Sequence, residues 1–109
     1  MDSYLPVGQE TVEAWRVWTA LWSEGLRDPV LQELNERMYG EWRRLVAGII
    51  RDGQANGQIV AGDPVLYANT LIAMIDGMAF QVMLGSQNMT VQRMRATCMA
   101  YVDSLTSST

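Results

Sequence analysis

Apolar side chains recur at intervals of three and four along nearly the whole 109-residue chain. The breaks are few: Pro6 and Gly8, Asp28-Pro29, the run from Gly57 to Pro64, and the run from Gly85 to Thr90. Between them the spacing predicts four helices, over about 9–26, 29–56, 64–84 and 90–105, and no sheet. Asp-Pro opens two of them in the same context, DPVL at 28–31 and again at 63–66. The aspartate can accept from the free amides of the first turn, while proline suits the first helical position, where its missing N–H costs nothing. The segments that follow the two DPVL motifs diverge, so this is a shared start signal and not an internal repeat. Thr90 before VQRM is a third candidate cap, and NGQIVAG at 56–62 suits a helix end with a short connection.

The faces of these helices differ. EAWRVWTALWSEGLRDP, Glu13 to Pro29, places Trp15, Trp18 and Trp22 within about 60° of one another on a helix. That aromatic stripe suits core, the wall of a ligand chamber, or a partner surface. The second helix carries Leu31, Leu34, Met38, Trp42, Leu45 and Ile49 on one stripe, opposite a solvated face of Glu33, Glu36, Arg37, Arg44 and Arg51. The third is apolar on two sides: Val65, Ala68, Ile72, Ile75, Ala79 and Val82 on one, Tyr67, Leu71, Met74 and Met78 on the other. Both sides need covering, and three companion helices are expected to cover one. The other calls for a second chain or lipid. Lipid is the poorer choice, because Asp76 falls mid-segment at a cost of ~2.5–3.5 kcal/mol, with Asn69 and Gln81 beside it. The fourth helix offers Val91, Met94, Cys98, Tyr101 and Leu105 as its stripe, with Arg93, Arg95 and Asp103 largely off it.

Composition narrows the function classes. The apolar share is 49% and the charged share 18%, which describes one globular domain over residues 1–109. The net charge is −4, all eight basic residues are arginines, and they form no basic run, so a surface built for nucleic acid is not expected. The absence of histidine excludes Cys/His zinc sites and Ser–His or Cys–His nucleophile pairs within the chain. No carboxylate pair stands at a spacing that implies acid–base chemistry, so neither an enzyme nor a cofactor or metal site is expected. Cys98, the single cysteine, lies on an apolar stripe and reads as an inert core thiol in a reducing, cytoplasmic setting. MDSYLPV lacks the basic start and long apolar stretch of a signal peptide.

Three segments in this order resemble a known family: the Trp-rich helix ending in EGLRDPVL, then ERMYGEWRRLVAGIIRDGQANGQI, then DPVLYANTLIAMIDGMAFQVMLG. They are similar to the C-terminal domain of TetR-family transcriptional regulators, in the subgroup typified by the choline-responsive repressor of betaine synthesis. The resemblance runs from about Glu10 to Leu105. It implies an all-helical domain that encloses a small-molecule chamber and dimerises through a four-helix bundle made from the last two helices of each copy. The family's DNA-reading head is an N-terminal helix-turn-helix, whereas only MDSYLPVG precedes the Trp helix in this sequence. The chain is therefore expected to be a cloned or natural fragment, and DNA binding does not carry over to it.

Candidate residues follow from both lines. For the effector chamber they are Trp15, Trp18, Trp22, Met38, Tyr39, Trp42, Met74 and Met78. Several indoles around one space suit a quaternary ammonium held by cation–π attraction, and suit an aromatic or lipophilic molecule equally. The methionines can be flexible core or a forgiving pocket lining. Asp76 is either a hydrogen-bonded structural carboxylate or an anion facing a cationic effector, and Gly77 permits close helix contact. For a homodimer contact the candidates are Ile72, Ile75, Ala79, Val82, Met94, Cys98 and Tyr101. The partners expected are a second copy and a small-molecule effector, with neither nucleic acid nor membrane. The rival reading is a helical interaction module that needs no chamber and captures a full-length regulator as a heterodimer.

Overall fold

A computed structural model describes residues 8–106, with side chains from Thr11 onward; Pro6 and the MDSYLPV segment lie outside the described residues. The chain forms α1 (Gly8–Gly25), α2 (Pro29–Ala55), α3 (Pro64–Met83) and α4 (Val91–Leu105). The start signals act as the sequence suggests. Asp28 and Asp63 each accept from the amide two residues on, at 2.9 Å, with proline at the first helical position. Thr90 accepts from the Arg93 amide at 3.1 Å. After α2 the chain turns at Gly57, whose φ of +75° is open to glycine at little cost.

The short turn after α1 folds it back along α2. The Asn35 side chain donates to the Leu21 carbonyl at 3.2 Å, and a Cβ on Gly25 would come within 2.5 Å of the same amide nitrogen. The main core is Trp15, Ile75, Met78, Ala79, Met94 and Cys98, joining α1, α3 and α4, with Trp18, Trp42, Leu71 and Met74 packed against it. A second cluster of Ala47, Ile50 and Ala68 joins α2 to α3 beneath Ile59, Val65 and Tyr67. The α2–α3 connection is tied down by polar contacts. Gln54 donates to the carbonyls of Val60 and Gly62, Tyr67 donates to that of Ala61, and the Val60 amide donates to Leu105 at the end of α4. The isolated antiparallel bridge between Ile59 and Thr106 lies beside that last bond.

Two expectations about faces need correcting. Both apolar stripes of α3 are covered within the chain: Ala68, Ile72, Ile75, Met78 and Ala79 are buried, and Leu71, Met74 and Val82 are half-buried. Three companion helices suffice because α1 and α2 pack on one flank of α3 and α4 on the other. What α3 turns outward is a third line, Leu66, Ala73, Gly77, Phe80 and Leu84, flanked by Asn69, Thr70 and Gln81, and it carries no charge. On α2 the predicted stripe is only partly used. Leu45 and Ile49 are 55% and 61% exposed, while Ala47, Ile50 and Gly53 are buried. Ala47 and Ile50 meet Ala68 of α3, and Ile59 of the connection covers Gly53, so the α3 contact is centred about 100° round α2 from the Met38–Leu45–Ile49 line. By length and composition alone α3 could cross a bilayer, with mean hydropathy 1.3.

Candidate functional site

Where α1, α2 and α3 meet, three aromatic rings cluster, and the middle one, Tyr39, binds a carboxylate. The antiparallel pairing of α1 with α2 brings the Trp18 ring edge-on to Tyr39, centroids 5.1 Å apart at 67°. Trp42, three residues along α2, stacks with Tyr39 at 6.3 Å and 21°. Asp76 comes from α3. The Tyr39 hydroxyl donates to Asp76 Oδ2, and the Trp18 side chain is hydrogen-bonded to Tyr39 in turn. An indole N–H can only donate, so the chain of bonds runs from Trp18 to Tyr39 to Asp76.

Asp76 Oδ1 is buried and has no hydrogen-bond partner. Burial pushes the Asp76 carboxyl above its ordinary value, and the Tyr39 hydrogen bond pulls it part of the way back. Burial also raises Tyr39, helped by the hydrogen bond and the charge of Asp76. One carboxylate oxygen is thus left unsatisfied beside a ring that belongs to an aromatic cluster, an arrangement that favours a cation bringing few hydrogen bonds of its own. Cys98 is buried too, and burial pushes its thiol up, away from the reactive thiolate.

The structure sorts the residues expected around the chamber. Trp18, Tyr39 and Trp42 come together. Trp15 and Met78 are buried in the main core, and Met74 packs against it. Trp22, 45% exposed, turns to the Phe80 ring at 5.8 Å, and Met38 is exposed. Of the residues expected at a dimer contact, Ile72, Ile75, Ala79, Met94 and Cys98 are buried within their own chain, and Val82 and Tyr101 are half-buried. A second copy can therefore meet the outward line of α3 but not these five side chains. The sequence reading passed over Phe80, although its place one turn beyond Asp76 was available. It also passed over the outward line, whose signal is a run of uncharged residues along one strip of α3. A surface depression lined by Glu36, Arg37, Gly40, Glu41, Arg43 and Arg44 lies on α2 alone, with mixed charge, and includes none of the three rings.

Comparison with known proteins bears on the family and the fold. The sequence profile of a family described as "BetI-type transcriptional repressor, C-terminal" matches residues 1–107. Among solved structures, a proposed transcriptional regulator from Saccharomonospora viridis, in complex with choline, superposes with a TM-score of 0.93 at 28% identity. The match covers 98% of this chain and 56% of that one, so the chain spans little more than half of its structural relative. No curated protein matches.

Proposed function

The chain belongs to the family of BetI-type transcriptional repressor C-terminal domains, and on that premise we propose that it senses a small cation of choline's class and pairs with a second copy of itself. The observation that carries the sensing is the free Asp76 Oδ1, on the carboxylate bound by Tyr39, whose ring packs with Trp18 and Trp42. Two parts of a quaternary ammonium would be satisfied at once: its charge by the carboxylate, its methyl surface by the ring faces. The choline held by the structural relative supports this choice over a neutral aromatic effector. Pairing uses the uncharged outward line of α3 together with α4, where Ala96, Met99 and Ala100 are exposed. In the intact regulator, effector binding in this domain would control a DNA-binding part in the cytoplasm.

Thermal melting tests the reading. Choline at about 100 times its dissociation constant adds ~2.7 kcal/mol, which raises the Tm of a domain this size by about ten degrees. The neutral isostere 3,3-dimethylbutan-1-ol has the same shape without the charge and should leave Tm unchanged. Equal shifts from both would transfer the reading to an apolar effector. No shift from either, nor from aromatic compounds, would favour the interaction module.

A further inference from the structure

We propose that effector binding and pairing of two copies are coupled through the contact between Trp22 and Phe80; the proposal rests on the sensing and pairing reading above. Trp18 and Trp22 lie one turn apart on α1, and Asp76 and Phe80 lie one turn apart on α3. The two helices are therefore joined by two rungs. In the first, Trp18 reaches Asp76 through the Tyr39 hydroxyl. In the second, Trp22 meets Phe80 edge-on, with centroids 5.8 Å apart at 75°. When a helix shifts as a rigid rod, side chains at i and i+4 shift together.

The first rung has no room for a guest. Its rings stand 5.1 and 6.3 Å apart and already touch, whereas a guest between two rings needs them about 7–8 Å apart, at ~3.5–4.0 Å per contact. Trp18 packs against the main core, so swinging its indole into water would expose a large apolar surface. Moving α1 away from Tyr39 on α2 and Asp76 on α3 opens the same space, and the methyl surface of the guest then covers the indole. The motion runs along α1 to Trp22. Phe80, 37% exposed, sits about 40° round α3 from Asp76, toward the outward line that holds Gly77 and Leu84. When Trp22 withdraws, Phe80 loses the ring that fixes its orientation on the face a second copy meets. A freed side chain must be ordered again on pairing, which weakens the association. Linkage then requires that pairing weaken effector binding by the same factor.

Sedimentation of the full chain over a concentration series, with and without saturating choline, tests the coupling. The wild-type dimer dissociation constant should rise about threefold to tenfold with choline, as expected for one re-ordered side chain. Trp22→Leu and Phe80→Leu should each show a single dimer constant, with or without choline, and a choline-induced melting shift at least as large as that of wild type. A wild-type constant that choline leaves unchanged overturns the coupling while the sensing reading stands. Variants that keep the wild-type response overturn its assignment to this contact. A chain that gains no melting shift from choline, or that sediments only as a monomer, fails at the earlier reading, and the coupling falls with it.

Discussion

Asp76 is the residue on which the chemistry turns. A carboxylate with one oxygen bonded to Tyr39 and the other buried without a partner destabilises the folded state in its charged form. Asp76→Asn keeps an acceptor for the Tyr39 hydroxyl and removes the charge. It should lower affinity for choline about tenfold or more, the equivalent of ~1.4 kcal/mol for one charge contact in a partly desolvated site, as read by titration calorimetry. The same variant fixes a pH dependence. The folded-state value of Asp76 is raised above the ordinary 3.8, so the folded chain holds the proton more tightly than the unfolded one. The resulting stability is fully present in acid below that ordinary value and is lost as pH rises through the folded-state value. Melting of wild type against Asp76→Asn across that window should show wild type losing ground as pH rises. A constant difference would mean that Asp76 is not desolvated.

The elements are set by local signals that can be removed singly. Asp63→Ala takes away the acceptor that holds the Val65 amide and should cost about 0.5–2 kcal/mol in denaturant unfolding. Gly62 is a stronger case. Its φ of +142° is rarely open to other residues, and a Cβ there would run into the Tyr67 hydroxyl that binds Ala61. Gly62→Ala should destabilise by ~1–3 kcal/mol, more than the lost cap, because it strains the backbone and disturbs the α2–α3 connection together. An unfolding midpoint equal to that of wild type would show that the connection relaxes freely.

At the scale of the whole molecule, inward and outward faces of α3 should respond in opposite ways. Ala79 is fully buried in its own chain, so Ala79→Arg would break the fold before it tested any pairing. Gly77 is exposed, and nothing lies within 4 Å of a Cβ placed there. Gly77→Glu should therefore leave the circular dichroism intact, stabilise the helix by roughly 0.5–1 kcal/mol, and convert a dimer to a monomer in sedimentation. A Gly77→Glu dimer as tight as wild type would remove this face from the interface.

The local grammar of the chain was legible from sequence. Asp-Pro, Thr90 and the glycines at 57 and 62 placed the four helices to within a residue or two, because caps and turns depend on neighbours a few positions away. Asp76 and the aromatic residues of the Tyr39 cluster were also singled out, since indoles and a mid-helix carboxylate are rare enough to stand out alone. What sequence left open was which side of each helix faces which neighbour. Periodicity shows that Leu45 and Ile49 share a face with Trp42, but not that α3 would settle against Ala47 and Ile50 instead. It shows α3 to be apolar on two sides, but not that α1, α2 and α4 would cover both. Those outcomes depend on how closely helices approach, and hence on the summed volumes of side chains far apart in sequence, which only the packed structure brings together. For the same reason Trp18 and Trp22, one turn apart on a single stripe, take different partners: Tyr39 from α2 receives one, and Phe80 from α3 the other.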